Sequence, residues 1–151
     1  MRRSLSANRE PRTANRIKDD AYWMSLAAAE ARKAEKEGEV PVGAVAVLNG
    51  KKIASAHNRP IKSNDPTAHA EILTLRKAAK RVRNYRLSGI ILYVTKEPCP
   101  MCKGALVWAR VKKVVYGCPD IKGLNHRCIV KGGVLRKETA QILRNFFKKK
   151  R

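Results

Sequence analysis

The chain has 151 residues, a length that suits one domain with its own core, and its 44% hydrophobic content is ordinary for a globular protein. Lys and Arg number 34 against 12 Asp and Glu, a formal charge of +22 that points to a polyanionic partner or, more blandly, to a solubilising surface. No apolar run approaches the ~20 residues that cross a bilayer, and the basic residues are spread without an amphipathic anchor, so nucleic acid fits the charge better than a membrane.

Residues 1–18 carry Arg2, Arg3, Arg9, Arg12, Arg16 and Lys18 against Glu10 alone. They read as a disordered basic arm ahead of a single domain over residues 19–151. An Arg-rich transit peptide is the alternative, and the missing amphipathic stripe counts against it. Asp19 or Asp20 caps a first helix that runs to about Glu37 and stops at Gly38, with Tyr22, Trp23, Leu26, Ala29 and Ala34 as its buried stripe. Residues 42–48 read as a buried strand, and Asn49-Gly50 is the turn that returns residues 53–56 antiparallel to it. After a loop over residues 57–64, Asp65-Pro66 offers an N-cap and first-turn proline for a second helix to about Arg81. A third strand follows at 90–95, a third helix opens at Pro98 to Pro100 and runs through Ala109, and a fourth strand covers 111–116. A loop to about Arg127 leads to a short fifth strand at 128–131, and Gly132-Gly133 breaks it before a final helix to about Phe147. Helices alternating with buried strands predict an α/β fold, a three-layer α/β/α sandwich around a central five-stranded mixed sheet.

Chemistry concentrates in His69-Ala70-Glu71 and Pro98-Cys99-Pro100-Met101-Cys102. One imidazole and two thiolates make three ligands for a tetrahedral zinc and leave a fourth position to water, as in catalytic rather than closed structural sites. Two residues between Cys99 and Cys102 let both thiolates face one metal across a turn, and helix N-termini favour their anionic form. Glu71 is displaced around its helix from His69, so it faces the water instead of the metal and can carry protons. A structural zinc would need a fourth ligand from Cys118, Cys128, His57 or His126, none of which stands in a second C-x-x-C or H-x3-H. Cys118 and Cys128 read more simply as small buried residues, and four cysteines without a disulfide framework suit a reducing cytoplasm. The H-x-E…P-C-x-x-C pattern is the signature of zinc nucleobase deaminases, in which water replaces the amine on C4 of cytosine or C6 of adenine.

Further stretches surround the motif: Val40-Pro41-Val42-Gly43-Ala44-Val45, Asn58-Arg59-Pro60-Ile61, Asp65-Pro66-Thr67, Asn84-Tyr85-Arg86-Leu87, Tyr93-Val94-Thr95, Asn125-His126-Arg127 and Phe146-Phe147. With them the chain resembles the tRNA adenosine deaminases of the TadA type over about residues 20–148. The resemblance implies a cytidine-deaminase-like fold and a cytoplasmic homodimer that converts the wobble adenosine of a tRNA anticodon loop to inosine. It also implies that His69, Cys99 and Cys102 hold one zinc per chain while Glu71 shuttles protons. Asn58 would hydrogen-bond the flipped base, Val40 and Ala70 would line its pocket, and Asp120 would contact the backbone beside the target. Phe146 and Phe147 would place flanking nucleotides or, equally, simply pack the last helix; the alternative for Asn58 is an Asx turn that orders its own loop.

One departure stands out: between Gly117 and Asn125 the family carries a longer segment with a short helix. A parallel crossover usually needs about a dozen residues, yet residues 118–124 can span ~23 Å when extended. A parallel fifth strand is favoured over an antiparallel one because the final helix keeps the family pattern. The trimmed segment leaves a compact or engineered deaminase of adenine or cytosine in single-stranded DNA or RNA as the second reading. A zinc-stabilised RNA-binding subunit without activity is the third, against which stands the intact Glu71.

Overall fold

The structure, a computed structural model, describes residues 18–119 and 129–150. Helix α1 (Asp20–Lys36) starts where the Asp19 carboxylate accepts the Tyr22 N–H at 2.9 Å, and Gly38 at φ 78° follows its end. Its buried face is Trp23, Met24, Ala27, Ala28, Ala31 and Ala34. The expected stripe is therefore corrected: Trp23 and Ala34 are buried, Leu26 is half-buried, and Tyr22 and Ala29 face solvent. Met24 sets the phase at i+3, i+4 and i+7, which a run of alanines conceals because they show little contrast between faces. Small residues are needed there, since a Cβ on Gly43 would sit 2.1 Å from the Ala27 carbonyl oxygen.

Strands β1 (Gly43–Leu48) and β2 (Lys51–His57) form the expected antiparallel hairpin, with Leu48 opposite Lys51. Asn49 and Gly50 both take positive φ, 50° and 74°, as a two-residue hairpin turn requires. The expected loop after β2 contains one helical turn, α2 (Pro60–Ser63). Its free amides are satisfied from outside: the fully buried Glu39 carboxylate accepts Ile61 N–H at 3.2 Å and Lys62 N–H at 2.8 Å.

Helix α3 (Ala70–Val82) starts later than Asp65-Pro66 predicts. Asp65 closes a local turn instead, its carboxylate accepting the Thr67 N–H at 2.8 Å and hydroxyl at 2.7 Å. Strand β3 (Ile91–Lys96), helix α4 (Pro100–Ala109) and strand β4 (Lys113–Cys118) follow much as expected, then β5 (Ile129–Lys131) and α5 (Arg136–Lys150).

The sheet order is β2-β1-β3-β4-β5: four strands of six or seven residues and a fifth of three. β1 is antiparallel to both neighbours, while β3, β4 and β5 are parallel, which settles the direction of the fifth strand. Alternation along each strand divides the core. Ala44, Ala46, Leu92, Val94 and Val114 pack with Leu75 and Ala78 of α3 and Leu106 of α4. Val45, Val47, Tyr93 and Val115 pack with Trp23, Met24 and Ala27 of α1, and α5 adds Ile142 beside Ala28 and Ala31. Tyr93 hydroxyl and Lys131 ammonium both donate to Asp20, at 2.7 and 2.6 Å, tying α1, β3 and β5 together. The result is the predicted α/β/α sandwich. Among the described residues, no helix is long and apolar enough to cross a membrane.

Candidate active site

Because β3 and β4 are parallel and each is preceded by a helix, α3 and α4 both point their N-termini toward the carboxyl end of those strands. His69 is the residue before α3 and Cys99 the residue before α4, each in extended backbone with no side-chain cap to occupy it. Pro100 opens α4 where its missing N–H costs nothing, and this puts Cys102 in the first turn above Cys99. His69 Nδ1 lies 3.6 Å from Cys99 Sγ and 3.5 Å from Cys102 Sγ, and the three ligand atoms lie within 4.8 Å of one another. A tetrahedral zinc at ~2.0–2.1 Å from nitrogen and ~2.3 Å from sulfur sets those atoms about 3.6 Å apart, so the donor set fits that ion. His57 is not part of it: its ring nitrogens meet Glu30 at 3.0 Å and Glu37 at 2.9 Å. Cys118 is buried and donates to Thr95 O at 3.4 Å; His126 and Cys128 lie outside the described residues.

Glu71, in the first turn of α3, is 3% exposed. Burial raises its carboxyl above the usual range, against the pull of its own backbone amide and of Cys102. Burial also pushes the Cys102 thiol up and, helped by Lys96, holds the His69 imidazole down. All three shifts are those of groups kept from water, where a dication would favour thiolate and neutral imidazole.

A cavity of about 230 Å³ opens beside these groups, with His69, Glu71 and Cys99 on one side and Val40, Val42, Asn58 and Pro60 on the other. It is smaller than the ~300–1,000 Å³ of drug-sized sites and suits a single base. Asn58 is buried, and its Oδ1 accepts the Ala70 N–H at 2.7 Å, satisfying a free donor at the start of α3. Its N–H₂ has no partner among the described residues and is left for a ligand. A second cavity of about 360 Å³ shares Val40, Asn58 and Pro60 and extends to Phe146 and Phe147.

The structure thus brings together His69, Glu71, Cys99, Cys102, Asn58 and Val40. Ala70 is fully buried, its methyl group in the core behind the cavity and its amide on Asn58. Phe146 is buried and Phe147 is 50% exposed, with the rings edge-to-face at 5.2 Å. Asp120 lies outside the described residues. Lys96 and Glu97, which also line the smaller cavity, were not expected from the sequence. Two adjacent charges ending a buried strand directly before Pro98-Cys99 were the available signal.

The chain matches the family of MafB19-like deaminases over residues 18–151. It is 45% identical over 146 residues to the tRNA-specific adenosine deaminase of Bacillus subtilis, covering 87% of this chain and 91% of that protein. The tRNA-specific adenosine deaminase of Buchnera aphidicola is 43% identical over 145 residues, covering 87% and 96%. A solved structure from a study of A-to-I editing by tRNA:A34 deaminases at the wobble position superposes with TM-score 0.77 at 42% identity, covering 81% of this chain and 99% of that one. The chain belongs to the family of the tRNA-specific adenosine deaminases, and its reaction is a deamination.

Proposed function

We propose that this protein hydrolytically deaminates adenosine to inosine at the wobble position of a tRNA anticodon loop. The observation that carries the reading is the cluster of His69, Cys99 and Cys102 beside a cavity walled by the buried Glu71. His69, Cys99 and Cys102 would hold one zinc, whose chemistry there would be the Lewis acidity that lowers the pKa of a bound water toward ~7. Glu71 takes a proton from the attacking water and delivers it to ring N1, and carries the second to the exocyclic amine. The C6–N bond breaks and ammonia leaves. Asn58 donates from its amide to the flipped base while its oxygen stays on Ala70, and Val40 closes the side of the pocket. Phe147, with Phe146 behind it, takes a flanking base in the larger cavity, where stacking is worth ~1–3 kcal/mol per base. Asp120 is assigned to the backbone beside the target.

Unpaired loop bases are already partly unstacked, so flipping one costs less than from a duplex. A homodimer has an apolar surface at hand: Trp108 and Met101 on the outer side of α4 are 84% and 38% exposed. A cytoplasmic site of action follows from a tRNA substrate and reduced thiolates. The test is incubation of purified protein with a tRNA anticodon stem-loop and a matched single-stranded DNA, each offering A and C, with inosine and uracil as readouts. Inosine in the RNA loop is the expected product; uracil, or conversion of DNA alone, would replace the substrate assignment.

A further inference from the structure

The catalytic cavity occupies one end of the sheet, and the other end carries a different chemistry. There α3 and α4 finish on Arg83 and Arg110, at φ 56° and 63°, a backbone region that favours glycine. Three segments are joined at this end. The Arg81 guanidinium donates to Ile53 O at 3.5 Å, Leu87 N–H to Ala109 O at 2.8 Å, and Lys112 N–H to Ile90 O at 2.9 Å. They gather Lys52, Arg81, Arg83, Arg86, Arg110 and Lys112, all exposed, with no carboxylate partner among the described residues. Residues 49–53, 77–90 and 105–113 contain no Asp or Glu. Ion pairs occur elsewhere, where Arg59 and Lys62 approach Glu37, Arg76 approaches Asp65, Lys103 pairs with Glu97, and Lys131 with Asp20, while Arg32, Lys36, Lys137 and Lys148 of α1 and α5 join no ion pair among the described residues either. Tyr85 stands 76% exposed in the same patch, with the Arg86 guanidinium 5.6 Å from its ring.

The helix dipole accounts for cations in the last turn of α3 but not for arginines at two left-handed positions where Gly or Asn costs less. The unmatched charges repel one another until a polyanion neutralises them. α3 has 13 residues, so about 20 Å separates this pole from the catalytic cavity. A nucleic acid touching both must extend well beyond the loop held in the pocket.

We propose that this pole is a second RNA-binding surface, taking the phosphate backbone of the base-paired body of the tRNA outside the anticodon stem-loop. Duplex RNA is held by shape and backbone contacts, which clustered arginines and lysines provide without reading sequence. The proposal rests on tRNA being the substrate.

The test compares full-length tRNA with an isolated anticodon stem-loop, for the native chain and for Arg81→Gln/Arg83→Gly/Arg86→Gln. Glycine suits the positive φ at position 83, and an unchanged thermal midpoint confirms the fold. The variant should bind full-length tRNA about tenfold more weakly at ~0.1 M salt, with the slope of log affinity against log salt shallower by about 2. Binding and conversion of the stem-loop should change by less than about twofold. Lys52→Gln/Lys112→Gln, on neighbouring segments, should show the same selective loss. Unchanged tRNA affinity in both variants, or equal weakening of the two RNAs, would overturn the proposal in favour of a diffuse basic surface. If the native chain binds tRNA but forms no inosine, the functional reading falls while the ratio of affinities for the two RNAs still decides the surface.

Discussion

Glu71 and Asn58 are both buried at the cavity, yet they do different work. Glu71→Gln keeps the volume and one hydrogen-bonding oxygen but cannot accept a proton, so metal content and thermal midpoint should hold. Turnover should fall by at least ~10²–10⁴, the contribution of positioned acid–base catalysis; metal analysis beside single-turnover kinetics checks both. Asn58→Ala removes the acceptor of the Ala70 amide as well as the donor toward the base. An orphaned buried amide costs about 1–3 kcal/mol, so chemical denaturation should detect a loss that Glu71→Gln lacks. Asn58→Asp restores the acceptor at the start of α3, where the dipole favours negative charge, and should recover stability without recovering activity. The ligands and Glu71 were legible because each lies within three residues of a helix start, so local spacing fixes their relation. Lys96 and Glu97 were not, because packing of β3 against the helix starts brings them to the cavity from elsewhere in the chain.

At the level of elements, the hairpin was readable from Asn49-Gly50, while the sequence left the fifth strand open between parallel and antiparallel and the structure makes it parallel. The starts of helices were less so. Asp65-Pro66 carries the composition of a cap, but a nearby Thr67 offers its carboxylate two donors at once and the local turn wins. Glu39 hid its role for a related reason: its partners, Ile61 and Lys62, lie beyond the intervening hairpin. Truncation at Glu39 exposes how α2 is held. Glu39→Ala leaves two amides without their acceptor and should cost at least about 1–3 kcal/mol by urea denaturation. Since Pro60 walls both cavities, the same variant should raise KM for the RNA loop more than it lowers kcat.

For the whole molecule, carboxylates tied to basic partners set the acid limit. Burial raises the Glu30 carboxyl, but hydrogen bonds from His57 and Lys33 outweigh it and leave the group below its ordinary 4.5. Asp20 behaves alike, burial being outweighed by Lys131 and Tyr93. A depressed carboxylate contributes stability that is fully present above its unfolded value and is lost as pH falls through its folded one. The contribution of these two carboxylates should therefore hold from pH 7 down to about 4.5 and decline below it, as a fall in denaturant midpoints below that pH would record.

The charge of +22 that points to a polyanion includes a pole around the ends of α3 and α4 where six exposed cations, Lys52, Arg81, Arg83, Arg86, Arg110 and Lys112, join no ion pair among the described residues. The measurement that bears most directly on the account is conversion of a single adenosine in a tRNA anticodon stem-loop by protein of known metal content. Inosine should form at the wobble position with one zinc per chain, be lost on chelation and return with added zinc. A zinc-loaded, folded protein that binds the loop and leaves its adenosine unchanged would contradict it.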